Sequence, residues 1–349
     1  MSTDQAADVV PSPVVRLEGV TVTYGSKPAL RDVSVSFQPG AVGLLGPNGA
    51  GKSTMIKALL GFVTPAAGRM HVLGLDVTRA PLEIRARIGY MPEMDAYIPG
   101  MNAVTFVAYC GELSGLPGVD AIQRAHEVLQ YVGLGEARYR NVETYSTGMR
   151  QRIKLAQALV HDPDLLFLDE PTNGMDPKGR DEMLALIHDL AHGRGLNLIL
   201  SSHVLPDVEA TCDHVVVLDK GRVAADGAID QLRGTRGQVF ELRVKGDAER
   251  FVPVLRAEAI ECRATDEDVM RVFVPPTVTA RTLFALAARE GLQVRHLRPS
   301  TPTLEDVFVR ALGEETGDDA FTARDGEQRV EHDPERERRQ RMGEEPHAD

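Results

Sequence analysis

Residues 46–54 read GPNGAGKST, and this stretch decides the fold. The apolar run VGLL stands directly before it, and a helical pattern of apolar residues follows from about Lys52 to Leu60. A buried strand, a glycine-rich loop and a helix in that order are the context in which GxxxxGK[ST] binds phosphate. The alternative, a chance glycine-rich turn, does not explain the flanking strand and helix. The stretch therefore predicts a P-loop nucleotide-binding domain.

The residue types in this loop are those that phosphate and metal binding require. Glycines let successive backbone amides turn inward around phosphate groups, the Lys52 ammonium can reach the outer phosphates, and the Ser53 hydroxyl can ligate Mg²⁺. The predicted nucleotide-binding residues are Gly46, Pro47, Asn48, Gly49, Ala50, Gly51, Lys52, Ser53 and Thr54.

A second apolar strand, in LLFLDEP at residues 165–171, ends in two acids. Successive side chains diverge at the end of a strand, so Asp169 and Glu170 can point to different parts of one site. We assign Asp169 to Mg²⁺ and Glu170 to the activation of an attacking water. The alternative is a pair of acids that cap a loop before Pro171.

Residues 145–152 read YSTGMRQR and open a predicted helix. Unpaired amides at a helix N-terminus, reinforced by the helix dipole, favour an anion such as phosphate. Ser146 and Thr147 could alternatively be simple helix caps.

Together these motifs resemble the nucleotide-binding subunits of ABC transporters, almost continuously over residues 14–232. YSTGMRQR resembles the signature sequence of that family, which is usually LSGGQ. The resemblance implies ATP as the nucleotide and a head-to-tail dimer, in which the signature of one copy faces the γ-phosphate held by Lys52 of the other. The signature residues are Ser146, Thr147, Gly148 and Met149.

Three further positions carry the resemblance. Tyr24 resembles the family's adenine-stacking aromatic residue, with a core or surface tyrosine as the alternative. His203 follows a core strand in LSSHVLPDVE and resembles the switch histidine that senses the γ-phosphate, although a lone histidine is more often structural. Asp176 in NGMDP matches the loop that connects the two ATP sites.

The sequence departs from the family pattern at two places. Glu93 in IGYMPE stands where the family has a glutamine that links metal, water and the coupling helices of the permease. A carboxylate there could ligate Mg²⁺ directly or through water, while it adds negative charge near the phosphates. Thr147 and Met149 replace the usual Gly and Gln, and loss of a glycine narrows the allowed backbone. Both variants resemble a bacterial subgroup of exporters of drugs, lipids, polysaccharides or ions.

Strands alternate with helices along most of the chain, which predicts an α/β fold with a mostly parallel sheet covered on both faces. We place the ATPase domain at residues 13–234, with a helical subdomain at about 95–160, after a flexible arm at residues 1–12.

The pattern changes after Gly234. Residues 238–298 read strand, helix, two short strands, helix, strand, the order of a ferredoxin-like unit, so we predict a small α+β domain at residues 235–312. Its closing amphipathic helix contains LEDVF, an ending that resembles the same exporter subgroup. Residues 313–349 are charged and poor in large apolar groups, which predicts a disordered tail.

Composition limits the classes of function. The chain is 43% hydrophobic and 26% charged, as in a soluble globular protein, and no apolar run approaches the length of a membrane span. Of the net charge of −12, residues 313–349 account for −7 through 13 acids and 6 arginines, and no nucleic-acid partner is expected. Cys110, Cys212 and Cys262 are far apart, which argues against a disulfide framework or zinc site. The first residues lack the features of a secretion signal, so we expect a cytoplasmic protein.

The preferred interpretation is the ATP-hydrolysing subunit of an ABC transporter, with ATP and Mg²⁺ bound. It would form a homodimer, or a heterodimer with another ATPase subunit, and drive export by a separate integral membrane permease on the inner face of the cell membrane. The permease is expected to dock on the helical region from about Met101 to Val142. The alternative is a soluble ABC-type ATPase acting on ribosomes or DNA, although the chain has one cassette and no sustained heptad repeat.

Overall fold

Three β-sheets form the framework of the protein in a computed structural model, which describes residues 12–95, 97–234, 238–245, 250–264, 269–275 and 278–312. The predicted tail at 313–349, and the predicted arm apart from Ser12, lie outside the described residues. None of the helices in the described residues combines the length and the hydropathy that a membrane span requires.

The central sheet has six strands in the order β10-β9-β3-β8-β7-β6. Its members are β3 (Ala41–Leu45), β6 (Ile88–Met91), β7 (Leu165–Asp169), β8 (Asn197–Ser201), β9 (His214–Asp219) and β10 (Arg222–Ala228). Five of these strands run parallel, and β10 pairs antiparallel with β9. The mostly parallel sheet predicted from the sequence is confirmed.

Strand β7 shows why its sequence is apolar throughout. Leu165 and Phe167 face one hydrophobic core, whereas Leu166 and Leu168 face a second core on the opposite side of the sheet. All four side chains are fully buried. Because both faces are covered, no position before Asp169 is free to be polar.

A smaller antiparallel sheet lies at the start of the chain, in the order β2-β1-β4-β5. Its strands are β1 (Val15–Tyr24), β2 (Lys27–Phe37), β4 (Ala67–Val72) and β5 (Leu75–Asp76). The sequence pattern predicted β1 and β2 but did not separate them from the parallel sheet. That distinction depends on long-range pairing, such as Val15 beside Val72, which local alternation does not reveal.

Eight α-helices accompany these two sheets within the described residues. They are α1 (Lys52–Leu59), α2 (Pro81–Arg87), α3 (Ala103–Leu113), α4 (Gly118–Tyr131), α5 (Thr147–Leu159), α6 (Pro177–His188), α7 (Leu205–Thr211) and α8 (Ile229–Gly234). The predicted helical region corresponds to α3, α4 and α5, which pack into the core on one face of the central sheet. The Asn102 side chain caps α3 by accepting a hydrogen bond of 2.9 Å from the Thr105 amide.

The third sheet lies near the end of the chain and has its own hydrophobic core. Its elements are β11 (Gln238–Lys245), α9 (Val252–Ala257), β12 (Glu261–Ala264), β13 (Met270–Val274), α10 (Ala280–Arg289) and β14 (Gln293–Ser300). All neighbouring strands are antiparallel in the order β12-β13-β11-β14, which is the order of a ferredoxin-like unit.

The closing helix α11 (Leu304–Leu312) does not belong to the core of that third sheet. Leu304, Val307 and Phe308 are buried in the core that α3, α4 and α5 share with the central sheet. The predicted domain boundaries at residues 234 and 312 remain predictions.

Candidate functional site

Four neighbouring strands of the central sheet, β3, β8, β7 and β6, end at one edge because they run parallel. The phosphate loop follows β3, and Asp169 is the last residue of β7. His203 comes two residues after β8, and Glu93 comes two residues after β6. Motifs that lie more than 150 residues apart in sequence therefore meet in one place, as ligand sites at the carboxyl edge of α/β sheets do.

A cleft of about 370 Å³ lies at this edge. It is lined by Ala29, Pro47, Asn48, Gly49, Ala50, Gly51, Lys52, Ser53, Thr54, Glu93, Asp169, Glu170, Asn173 and His203. Among the described residues, the lining contains every predicted catalytic and metal-binding residue. It contains none of Tyr24, Gly46, Asp176 or the signature.

The phosphate loop has a backbone that only glycine tolerates at its two ends. Gly51 has a φ of 110°, and a Cβ there would lie 2.9 Å from the Ala29 carbonyl oxygen. A Cβ on Gly46 would lie 2.5 Å from the Leu218 carbonyl oxygen. The Lys52 Nζ donates a hydrogen bond of 2.6 Å to the Gly46 carbonyl, so Gly46 shapes the loop without lining the cleft.

The cleft contains more carboxylates than cations. Burial lowers the pKa of Lys52, an effect opposed by the nearby carboxylates of Glu170, Asp169 and Glu93. Burial also raises the pKa of Asp169, and Glu170 and Glu93 raise it further by charge repulsion. Three carboxylates around one ammonium leave negative charge that a bound cation would neutralise.

The side chains in the cleft suit an Mg²⁺ ion that is bound together with substrate phosphates, in contrast to a metal ion that is held by protein ligands alone. Ser53, Asp169 and Glu93 line the cleft with oxygen atoms, the ligand type that Mg²⁺ prefers. In the described part of the chain, no three His, Cys, Asp or Glu side chains form a metal-binding group by themselves. That arrangement suits a metal that keeps several waters and completes its coordination with substrate phosphates.

Glu170 occupies a left-handed backbone conformation with a φ of 50°, which is costly for a residue other than glycine. Its amide donates a hydrogen bond of 2.9 Å to the Ser201 carbonyl on the neighbouring strand β8. This conformation turns the chain away from β7, and the Glu170 carboxylate accepts a hydrogen bond of 2.8 Å from His203 Nδ1. The same hydrogen bond raises the pKa of His203. His203 therefore retains its proton to higher pH than an ordinary histidine does.

The signature stretch begins helix α5 on the surface. The Ser146 hydroxyl accepts a hydrogen bond of 3.4 Å from the Met149 amide, so it does act as a helix cap. Ser146 and Thr147 are exposed, and Gly148 and Met149 are half-buried. Because this helix end lies outside the cleft of its own copy, the signature's role in binding phosphate remains a prediction.

Tyr24 and Asp176 are also exposed outside the cleft. Tyr24 ends strand β1 with 52% of its surface accessible. Asp176 precedes α6 and makes no side-chain cap to it. Their roles in adenine stacking and in communication between sites remain predictions.

Two residues of the cleft were not predicted from the sequence. Asn173 lies in the loop after Glu170, and its carbonyl accepts a hydrogen bond of 2.9 Å from the buried Gln151 side chain. The sequence did contain a sign that Gln151 has a buried polar contact. Gln151 is a polar residue on the face of α5 that also carries the buried Leu155. Ala29 lines the cleft from β2, and nothing in its local sequence marks it.

Comparison with known proteins points to one family. The family model described as ABC transporter matches residues 30–173. The daunorubicin resistance ATP-binding protein DrrA2 of Streptomyces coeruleorubidus is 38% identical over 309 residues, which is 86% of this chain and 96% of that protein. The linearmycin resistance ATP-binding protein LnrL of Bacillus subtilis (strain 168) is 33% identical over 310 residues, 86% of this chain and 98% of that protein.

Solved structures agree in fold. The chain resembles an ATP-binding subunit of an ABC transporter with a TM-score of 0.57 and 28% identity, over 63% of this chain and 92% of that one. It has the same TM-score to a dimeric ATP-binding cassette bound to ADP and Pi, at 24% identity, over 61% of this chain and 98% of that one.

Proposed function

The chain belongs to the ABC transporter family as an ATP-binding subunit, and from this premise we propose that it hydrolyses ATP within a head-to-tail dimer to drive export through a separate permease. The observation that carries this function is the single cleft that unites the phosphate loop, Asp169, and the Glu170–His203 pair.

Different residues of the cleft have different roles in the hydrolysis of ATP. Backbone amides of the phosphate loop and the Lys52 ammonium bind the phosphates of ATP. Glu170 orients and polarises the attacking water, and His203 holds the Glu170 carboxylate in place through the 2.8 Å hydrogen bond. Mg²⁺, held by Ser53 and Asp169 with Glu93 nearby, would neutralise charge that develops on the phosphates.

A dimer supplies what one copy lacks. The amides at the N-terminus of α5 form an anion-binding helix end that is exposed and lies outside its own cleft. In the proposed dimer, Ser146 and Gly148 of one copy meet the γ-phosphate held by Lys52 of the other. Two ATP molecules then hold the copies together until hydrolysis releases them. The partner is a second copy of this chain or another ATPase subunit.

The names of the relatives favour export. Two similar proteins are named for resistance to daunorubicin and linearmycin, and a third, BcrA of Bacillus licheniformis, for bacitracin transport. We infer that the permease is a separate polypeptide and that this subunit docks against it on the inner face of the membrane. Exposed apolar residues on the helical region, among them Leu113, Val119 and Ile122, support a protein-protein contact there.

Mixing two inactive variants tests the shared site. Glu170→Gln damages the catalytic half of a site, and Gly148→Asp damages the signature half. In a head-to-tail dimer of the two, one site combines the intact Glu170 of one copy with the intact signature of the other. The mixture should recover about one quarter of wild-type turnover, because half of the randomly assorted dimers carry one intact site of two.

Two controls make the result decisive. Each variant incubated alone at the same total concentration should stay inactive. A mixture in which the Gly148→Asp copy also carries Lys52→Ala should not recover, because no site is then intact. If the original mixture stays as inactive as its components, each copy holds a complete site and the head-to-tail arrangement is wrong.

A further inference from the structure

Two side-chain hydrogen bonds join the segment after β7 to the segment after β8. In the first, His203 Nδ1 and Glu170 Oε2 lie 2.8 Å apart. In the second, the Thr172 hydroxyl donates a hydrogen bond of 2.5 Å to Asp207 Oδ2 on α7. Thr172 follows Glu170 by two residues, and Asp207 follows His203 by four. Because the two bonds and the short backbone segments between them form a closed ring, the second bond restricts how far the partners of the first can move apart.

The second bond is the more deeply buried of the two. Thr172 and Asp207 are both buried, whereas His203 is exposed toward the opening of the cleft. In the part of the chain that the structure describes, the lining of the cleft includes neither Thr172 nor Asp207. Breaking a bond between buried groups leaves them without a partner and without water, which is costly. The Thr172–Asp207 bond is therefore suited to fix the distance between the two segments.

Arg180 orients the Asp207 carboxylate. Its Nε donates a hydrogen bond of 2.7 Å to Asp207 Oδ1, and its Nη2 lies 2.5 Å from the same oxygen. Thr172 uses the other oxygen, Oδ2. With Oδ1 held by the guanidinium, Oδ2 remains directed at the Thr172 hydroxyl.

The backbone of Glu170 needs support from its surroundings. Its φ of 50° is a conformation that a residue other than glycine keeps only when neighbouring groups hold it. The Glu170 amide is held by the Ser201 carbonyl of β8. Two residues further along, the bond from Thr172 to Asp207 holds the loop that follows Glu170. Loss of that second attachment would let the Glu170 carboxylate shift relative to His203.

We propose that Asp207 is a positioning residue for ATP hydrolysis: through the Thr172 hydroxyl it sets the place of the Glu170 carboxylate relative to His203 and the attacking water. The inference rests on the proposed function, in which Glu170 polarises that water. Asp207 is buried away from the cleft, so its effect on the reaction passes through Thr172 to Glu170.

Removal of the Thr172 hydroxyl is the direct test. Thr172→Val keeps the branched shape of the side chain but loses the hydrogen-bond donor, whereas Thr172→Ser keeps the donor. Thr172→Val should lower kcat for ATP about 10- to 100-fold, because a small displacement of Glu170 slows the reaction. KM should change by less than about twofold, since the phosphate loop is intact. Thr172→Ser should restore most of the wild-type kcat.

Thr78→Val is the matched control. The Thr78 hydroxyl donates a hydrogen bond of 2.6 Å to Asp76 Oδ1, which is the same kind of contact at an exposed position. Neither residue is among those that line the cleft in the described part of the chain. Loss of this hydroxyl should leave kcat and KM unchanged.

The double variant Asp207→Leu with Arg180→Met separates positioning from stability. It leaves no uncompensated charge, so it should be more stable than Asp207→Ala. Its kcat should nevertheless stay about 10- to 100-fold below wild type, because Thr172 then lacks its acceptor. Adding Thr172→Val to this double variant should lower kcat by less than about a further threefold, since the contact is already lost.

An NMR measurement judges the geometry without hydrolysis. The ring signals of His203 are compared at one pH, without nucleotide, in wild type, Thr172→Val, Thr172→Ser and Glu170→Ala. The last variant shows His203 without its acceptor. Thr172→Val should move the His203 signals toward their positions in Glu170→Ala, and Thr172→Ser should leave them near their wild-type positions.

Each outcome decides the proposal. Wild-type kcat in Thr172→Val, or in a stable Asp207→Leu and Arg180→Met protein, would overturn it, and so would an equal loss from Thr172→Val in both backgrounds. If Thr172→Val fails to fold, the kcat of the double variant decides. Failure of both proteins to fold would show that the contact serves the fold alone and would contradict the proposal. A wild-type protein that does not hydrolyse ATP would count against the proposed function, and the His203 signals would still judge whether Thr172 and Asp207 position Glu170.

Discussion

His203 Nδ1 lies 2.8 Å from Glu170 Oε2, so two residues that follow neighbouring strands form one hydrogen-bonded unit inside the cleft. Glu170 is 90% buried at its side chain, whereas His203 is half-exposed toward the opening. The buried partner can polarise a water, and the exposed partner can respond to what enters the cleft.

Glu170→Gln should abolish turnover while preserving ATP binding. The amide keeps the size of the side chain but accepts a proton poorly, and loss of a general base costs about 10²- to 10⁴-fold. Without hydrolysis, the ATP-bound dimer should persist. ATPase assays and size-exclusion chromatography with and without ATP measure the two effects.

Glu136→Gln is the matched control, since Glu136 is exposed and does not line the cleft. It should behave as wild type in both assays. Undiminished turnover of the Glu170→Gln protein would remove Glu170 from the reaction.

The His203–Glu170 pair should make stability depend on pH. The hydrogen bond from His203 to Glu170 raises the pKa of His203 in the folded state above its ordinary value of about 6.5. The stabilisation is therefore fully present below about pH 6.5 and is lost as pH rises through the raised pKa. Urea unfolding of wild type and His203→Gln should be measured from below about pH 6.5 up through the raised pKa of His203. The difference in the free energy of unfolding between the two proteins should shrink as pH increases.

NMR titration gives an independent check of the same pair. His203 should titrate above an ordinary histidine in wild type, and in Glu170→Gln its pKa should fall toward the ordinary value. A stability difference that stays constant with pH, or a His203 pKa unaffected by Glu170→Gln, would show that the pair does not interact in solution.

The parts of the site that depend on short-range chemistry could be predicted from the local sequence. The phosphate loop requires glycine at positions such as Gly51, and the strand before Asp169 requires apolar residues because it is buried on both faces. Both features could therefore be recognised from the sequence alone. Parallel strands then bring their carboxyl ends together as a consequence of fold class alone.

Long-range contacts were not predictable in the same way. Ala29 reaches the cleft only because β2 lies over the phosphate loop, where its carbonyl oxygen would contact a Cβ on Gly51. The hydrogen bond from Thr172 to Asp207 depends on where α7 packs against the loop after β7, and helix periodicity does not fix that packing. The packing of α11 into the core of the ATPase region likewise follows from tertiary contacts.

Lys52→Ala should abolish nucleotide binding. The side chain carries the positive charge of the phosphate loop, and it also holds the loop through the 2.6 Å hydrogen bond to the Gly46 carbonyl. Titration with a fluorescent ATP analogue should show at least about a 100-fold weaker affinity, as expected when a charged hydrogen-bond donor is lost from a buried phosphate site. Lys57→Ala, on the exposed side of the same helix, should bind normally, and normal binding by Lys52→Ala would contradict the assignment.

Asp207 should be important for stability, because it is a buried carboxylate with two partners. Only 1% of its surface is accessible, and it forms an ion pair with Arg180 and accepts a hydrogen bond from Thr172. Asp207→Ala leaves Arg180 without its counter-charge. Because the Arg180 side chain is 34% accessible, the loss should be smaller than the about 3–5 kcal/mol expected when a fully buried pair is broken. Urea unfolding should show this loss.

The exposed pair of Asp230 with Arg233 provides the comparison. Asp230 is 97% accessible, so Asp230→Ala should change the free energy of unfolding by no more than about 1 kcal/mol. Replacing both members of the Asp207–Arg180 pair, as Asp207→Leu with Arg180→Met, should recover much of the stability, because no uncompensated charge then remains. A double variant as unstable as Asp207→Ala would mean that the hydrogen bond from Thr172, and not the ion pair, holds α7 beside the loop after Glu170.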